Sequence, residues 1–331
     1  MSRILTSVLL AACAAGLSAC GNGNDAPDEA GQGGEAVISE EAAGADAGME
    51  AGMEAGDSDA DTSAAGEAET GTLTWAVAGE WRGTNRERDV WRHPQETLEF
   101  LGVDPSGRVI EIWPGSGWYS EILAPWVAAN GGTFVAATFP ADSESERRRE
   151  ARASYEAHFA SDPVYGTVEM ADFHADGADL GAPGSADAIL SFRNVHNWMG
   201  GGFAERAFAD FYAALRPGGI LGVIEHRLPD TREQDPRAGT GYVQEAYVIA
   251  MAREAGFEFV GSSEVNANPA DTADHPFGVW TLPPTRRSAA YGEPENPDFD
   301  HNVYDAIGES DRMTLLFRKP ETAEAGTTDG E

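Results

Sequence analysis

The stretch that most restricts the fold is Glu111 to Pro125, EIWPGSGWYSEILAP, with Arg108-Val109-Ile110 leading into it. The apolar approach through Ile112 has the pattern of a buried strand, and Trp113 to Gly117 that of a tight glycine turn. Ser120 is placed to cap a helix beginning at Glu121. A strand, a turn and a helix in that order are the repeating unit of an open parallel sheet. In such a sheet the crevice at the carboxyl ends of the strands is where ligands bind, and glycines let backbone amides approach them closely. Glu111, at the strand end, stands where a carboxylate could hold a polar ligand.

The pattern recurs downstream. Pro125 predicts a kink in the helix from Glu121 to Ala129, and Asn130-Gly131 ends it. Further strands are expected at Thr133 to Phe139, Thr167 to Ala171, Ala188 to Phe192, Ile220 to Glu225, Phe257 to Ser262 and Arg312 to Arg318. Between them lie helical patterns at Glu146 to Phe159, Phe203 to Leu215 and Tyr242 to Glu254, with Arg216-Pro217-Gly218-Gly219 turning one helix into the next strand. Upstream, Asn85 to Leu101 reads as a helix in two pieces, interrupted by Pro94, with His93 structural. The roughly 45 residues before the last strand exceed any hairpin connection. They contain Asp274-His275-Pro276, Trp280 and Leu282-Pro283-Pro284, which suits a wall or lid over the strand ends.

Not all of the 331 residues can join this core. Arg3, the apolar run Ile4 to Ala15 and Leu17-Ser18-Ala19-Cys20 form a secretory signal too short to span a membrane as a mature helix, with a lipoprotein-type cleavage site. Cys20 is the expected lipidated residue, and Gly21 after it favours the periplasmic face of an outer membrane, so the expected location is exported and lipid-anchored in the cell envelope. The only other cysteine, Cys13, leaves with the signal, which excludes a disulfide within one mature chain and a thiolate nucleophile. Between Gly21 and Thr70 lie 14 of the 56 acidic residues and no lysine or arginine. So charged and apolar-poor a segment is expected to be a disordered tether, taken as residues 21–72, before a domain at 73–320 and a tail at 321–331. The net charge of −34 disfavours nucleic acid as a partner, because phosphate binding needs a positive surface.

Two polar runs end strands where a doubly wound sheet exposes catalytic groups: Arg193-Asn194-Val195-His196-Asn197-Trp198 and Glu225-His226-Arg227. His196 is the first candidate for a general base and His226 the second, since unperturbed imidazole titrates near pH ~6.5. His196, Glu225 and His226 could instead hold zinc, although no H-x-x-x-H or H-E-x-x-H spacing is present and no metal is expected.

E-x-x-x-G-x-G resembles the first motif of class I S-adenosylmethionine-dependent methyltransferases, with Trp113 at the first glycine position. Together RHPQETLEFLGV, EIWPGSGWYSEILAP, SFRNVHNW, LRPGGILGVIEHR, ANPADTADHPFGVWTLPPT and IGESDRMTLLFRKP look like a family of predicted bacterial methyltransferases that often carry export signals, over about Arg88 to Pro320. The resemblance implies an α/β, Rossmann-like fold: a seven-stranded, mostly parallel sheet with helices on both faces and an antiparallel last strand. It implies S-adenosylmethionine as cofactor and a small-molecule substrate as partner. Glu111, Gly115 and Gly117 would cradle the cofactor's amino acid and ribose end, with Trp118 and Tyr119 lining it and Arg193 and Asn194 at the neighbouring strand end. Thr138 stands where the family has a ribose-binding acid, with Asp142 the substitute from the loop. Asp176 falls at the adenine position, with Asp172 its competitor. The alternative is a catalytically inactive binding module on the same scaffold, which export and the residues Trp113 and Thr138 favour.

Overall fold

The computed structural model describes residues 68–321. The leader, Cys20, most of the tether and nearly all of the tail lie outside them. No helix among the described residues is long and apolar enough to cross a membrane.

Strands β1 (Arg108–Ile112), β2 (Thr133–Thr138), β3 (Val168–His174), β4 (Gly177–Asp179), β5 (Ala186–Phe192), β6 (Leu215–His226), β7 (Glu258–Ser263) and β9 (Arg312–Arg318) form one sheet in the order β4-β3-β2-β1-β5-β6-β9-β7, and the short β8 (Pro276–Val279) in the long connection stands outside it. β1, β2, β3, β5 and β6 run parallel, and β9 lies antiparallel between β6 and β7. The strand order reverses at β1, which puts the switch-point crevice above β1 and β5. This is the expected α/β, Rossmann-like sheet, mostly parallel with its last strand antiparallel. It has eight strands rather than seven because β4 folds back on β3 as a hairpin edge, in the stretch Asp172 to Asp187 that reads as loop in the sequence.

Helices cover both faces. Strand side chains alternate, so β1 sends Val109 to one layer and Ile110 and Ile112 to the other. On the first side pack α1 (Leu73–Val77), α3 (Pro94–Leu101), α4 (Ser120–Ala129) and α5 (Glu146–Ala160). On the second lie α6 (Val195–Gly200), α7 (Ala204–Ala214) and α8 (Glu245–Glu254). Ala204, Ala207, Phe208, Phe211 and Ala214 make the buried stripe of α7. Each fully buried phenylalanine contributes roughly 1.5–3 kcal/mol.

Several local expectations are corrected. The two helical pieces over residues 85–101 are α2 (Asp89–Arg92) and α3, which Pro94 starts, but Asn85 to Arg88 belong to a 3-10 segment, Glu80–Arg88, that leads into them. Pro suits the first helical turn, where its missing N–H is not needed. Ser120 is not a cap. Tyr119 holds that place and Ser120 is already helical, its hydroxyl turned toward β1. Pro125 leaves the carbonyl of Glu121 without its i+4 donor, and the Trp81 indole N–H supplies a bond to it at 2.8 Å, so α4 runs on to Ala129. The run after β5 opens α6, with Asn194 at its N-cap.

Candidate functional site

The glycine turn has the backbone its sequence demands, with Gly115 at φ +62° and Gly117 at φ +95°. Its surroundings differ from those expected. A Cβ on Gly117 would lie 2.5 Å from the Phe159 ring and 3.3 Å from Tyr155, so this glycine admits the side chains of α5. Glu111 is buried and accepts a hydrogen bond from Ser120 Oγ at 2.6 Å, while Ser120 accepts one from Tyr155 OH at 2.8 Å. Burial pushes its carboxyl up to about 8, so it is mostly protonated at neutral pH.

Trp113 fills the switch point. It adopts the left-handed region at φ +46°, and its half-buried ring lies among Phe139, Phe173, Trp198 and Phe203, with centroid distances of 4.9, 5.7, 6.3 and 5.9 Å. Its indole N–H donates to the Phe173 carbonyl at 2.8 Å. Those four rings come from the carboxyl ends of β2 and β3 and from α6 and the turn between it and α7, so the aromatic cluster closes the mouth of the crevice. In the sequence these rings look like separate core residues, and only the strand order reveals that they converge.

The other candidates disperse. Trp118 donates from its indole to the Asn85 carbonyl and stacks beneath Arg82 and Arg92; Tyr119 donates to the Arg92 carbonyl and stacks on Phe192 at 3.6 Å. Thr138 pairs in register with Asp172, whose carboxylate holds Arg152. Asp176 is 95 % exposed at the β3–β4 turn, and Asp142 is exposed in its loop. Asn194 donates to the carbonyls of Ile112 and Trp113, latching the end of β5 to the turn.

A second group does come together, at the carboxyl ends of β5 and β6. His196 Nδ1 donates to Glu225 Oε1 at 3.0 Å, and the backbone N–H groups of His196 and His226 donate to the same carboxylate at 3.1 and 2.7 Å. Glu225 has no exposed surface. Burial alone would raise its carboxyl, but His196 and the other donors hold it below the usual carboxylate range. Because an ionised carboxylate only accepts, Nδ1 carries a proton and makes this bond, which leaves Nε2 to be accounted for. That Nε2 is buried and has no hydrogen-bond partner among the described residues. His226 Nδ1 lies 2.5 Å from Ser310 Oγ, and burial lowers this imidazole well below 6.5, so it is neutral.

A cavity opens beside them, lined by Arg193, His226, Val279, Trp280, Pro283, Thr285, Glu309 and Ser310. Between the two histidines, His226 reaches its wall; His196 lies behind, its ring 5.4 Å from that of His226 and 6.0 Å from that of Trp280. The long excursion supplies one wall. Asp271 anchors it by accepting from Tyr242 OH, the His275 ring and the backbone N–H groups of Ala273 and Asp311. Trp280 and Pro283 line the cavity, from the aromatic and proline-rich part of the connection that suggests a wall, whereas Glu309 and Ser310 are wall residues missed in the sequence, where nothing local marks them. His196, Glu225 and His226 offer ligand atoms within 4.8 Å of one another, the geometry a metal would need. The carboxylate, however, is committed to three donors.

No family model matches the chain, and no curated protein matches it significantly. Among solved structures, the chain is similar to the [4+2]-cyclase SpnF, at 16 % identity over 70 % of this chain and 80 % of that one, with a TM-score of 0.45. A SAM-dependent methyltransferase from Aquifex aeolicus matches at 16 % identity over 54 % and 87 %, with a TM-score of 0.43. Phosphoethanolamine N-methyltransferase 2 of Haemonchus contortus, solved in complex with S-adenosyl-L-methionine, matches at 16 % identity over 76 % and 57 %, with a TM-score of 0.43. At these values the likeness carries no argument about ligand or reaction, and the strand order stands on its own.

Proposed function

We propose that the chain is an S-adenosylmethionine-dependent methyltransferase acting on a small-molecule acceptor that binds in the cavity at the ends of β5 and β6. The observation that carries the reading is the buried His196–Glu225–His226 group at the rim of a class I methyltransferase sheet, beside that cavity. The sequence resemblance, with its glycine turn after β1, supports the donor.

The chain's own residues have definite roles in this reading. The donor supplies the methyl group. His226, neutral and on the cavity wall, is placed to take a proton from a hydroxyl or amine acceptor. Glu225 fixes the backbone of both histidines and the tautomer of His196, so it is a positioning residue, and His196 backs His226. Trp280 and Pro283 shield the acceptor from water.

Trp113 packs among Phe139 and Phe173 at the switch-point crevice, and Glu111 is turned inward to Ser120. The same observation favours a second reading, a ligand-binding module that keeps the scaffold and the rim cavity without a donor. Calorimetric titration of the full chain with S-adenosylmethionine and S-adenosylhomocysteine separates the two. Saturable heat is expected for the methyltransferase, and no affinity for either at millimolar concentration removes that reading in favour of the module.

The lipid anchor belongs to the same proposal: Cys20 would hold the domain at the periplasmic face of a membrane, as Arg3, the apolar run and Leu17-Ser18-Ala19 before it support. Mass spectrometry of the native protein tests this, and an intact, unmodified Met1 terminus overturns it.

A further inference from the structure

One side chain on the cavity wall is placed with more support than a wall needs. Ser310 lies between two acids, and both are clamped. Before it, the Glu309 carboxylate accepts from Arg88, Arg92 and Arg312, and the Glu309 carbonyl accepts from Asn268 Nδ2 at 2.7 Å. After it, Asp311 accepts from Arg227 at both carboxylate oxygens, each at 2.9 Å, and its backbone N–H donates to Asp271 at 2.8 Å. Charge-assisted hydrogen bonds of this kind are the strong ones. The residue they fix from both sides is a serine that is 3 % exposed, and what its placement achieves is one contact. Ser310 Oγ stands 2.5 Å from Nδ1 of His226, 84 residues earlier in the chain.

The direction of that bond follows from where the protons can go. A hydroxyl carries one proton, and a buried donor without an acceptor is costly. Among the described residues His226 Nδ1 is the only hydrogen-bond partner of Ser310 Oγ. Were Nδ1 to donate, the serine's own proton would have no acceptor there, so the hydroxyl donates and Nδ1 accepts. Burial lowers this imidazole well below 6.5 and keeps the ring neutral, which puts its single proton on Nε2. The lone pair with which His226 can act as a base is therefore aimed at Ser310.

We propose that His226 acts on an acceptor through Ser310: a proton leaving the acceptor passes to the Ser310 oxygen as the serine's own proton passes to His226 Nδ1. No covalent bond to the serine forms. The hydroxyl is restored in the same step, and the imidazolium, whose backbone N–H is held by Glu225, later returns the proton to water. The inference rests on the proposed reading in taking this rim as the acceptor side. The cavity that Ser310 and His226 line has room for about one water molecule. What reaches Ser310 there is the reacting hydroxyl or amine of an acceptor rather than its whole body, so the acceptor class is one with an unhindered terminal group.

The test is the tautomer of His226. It is read in the full chain, with histidine labelled at its ring nitrogens, by long-range proton–nitrogen correlation spectroscopy at neutral pH and without methyl donor. His226→Gln identifies its signals among those of the seven histidines. Nδ1 is expected as the unprotonated, hydrogen-bonded nitrogen and Nε2 as the protonated one, with this tautomer favoured about tenfold or more. Ser310→Ala is expected to reduce the preference severalfold, whereas Ser310→Thr, which keeps the hydroxyl, retains it. The signals of the other histidines report whether each variant folds; if Ser310→Ala does not, the tautomer of the parent chain decides alone. A proton on Nδ1 in the parent overturns the proposal, because the lone pair would then lie on Nε2. An undiminished preference in folded Ser310→Ala overturns it as well. The expected tautomer in a chain with no affinity for S-adenosylmethionine would leave the Ser310–His226 relay standing and remove the methyltransferase reading. Donor binding with the opposite tautomer would keep that reading, with the proton taken directly by His226.

Discussion

Glu225 grips His196 twice, once at the ring, with 3.0 Å from Nδ1 to Oε1, and once at the backbone, with 3.1 Å from its N–H to Oε2. A residue at the end of β6 thereby fixes both the start of α6 and the tautomer of the side chain it carries.

Glu225→Ala is expected to cost about 3–5 kcal/mol, because it strands two buried backbone donors and an imidazole. Urea denaturation would measure it. Glu225 is held below its unfolded pKa, so its ionisation stabilises the fold above about pH 4.5 and that contribution is lost as pH falls through the lower, folded value. Glu225→Gln should lack this part of the acid transition.

Glu111 has the opposite sign. Its folded pKa of about 8 lies above the unfolded value, so between about pH 4.5 and 8 the unfolded state has released a proton that the folded state retains. Its contribution is complete below that window and declines across it as pH rises. Glu111→Gln should flatten the stability profile over this window, with the largest relative gain at pH 8. Parallel denaturation curves at pH 5 and 8 for both proteins check this, and an unchanged slope would count against burial as the cause.

Trp113→Gly removes the ring from the switch point and relieves its left-handed backbone. Loss of the packed indole is expected to cost about 3–5 kcal/mol, offset by roughly 1 kcal/mol from the relieved backbone. If the ring is what excludes a nucleoside, S-adenosylhomocysteine should bind the variant at least tenfold more tightly than the parent by calorimetry. Equal affinities would show that the ring does not control access.

Asp271 is expected to govern the excursion without governing the sheet. Asp271→Ala should speed amide exchange at Ala273 and Asp311, whose N–H groups it binds, and in the Trp280 wall, while β1 and β5 retain their protection. Hydrogen-exchange mass spectrometry resolves these segments.

The sheet was legible in the sequence because its strands are short apolar runs bounded by Gly, Pro and Asn, and the turn at Gly115 and Gly117 needs positive φ that glycine supplies. The rim was legible too, since His196 and Glu225 both follow such runs. What could not be read is which rim residues meet. Trp113 reads as part of a turn until strand order brings Phe139, Phe173 and Phe203 around it, and Ser120 reads as a cap until Glu111 is seen within 2.6 Å of its hydroxyl. Glu309 and Ser310 gave no signal because nothing local links them to Arg92 or His226, more than 80 residues earlier. Tertiary neighbours, not local propensity, assign these roles.

The position of β9 has a consequence for how the chain reaches this state. β9 lies between β6 and β7, pairing with both, and contributes six buried residues in succession. As the polypeptide lengthens, both neighbours exist before the strand that joins them, each with an unpaired edge and an uncovered apolar face. Sheet completion must await a contact distant in sequence, which slows folding and leaves an interval in which a foreign strand could take the vacant slot. A chain cut just before Arg312 should therefore be an aggregating species rather than a smaller folded one.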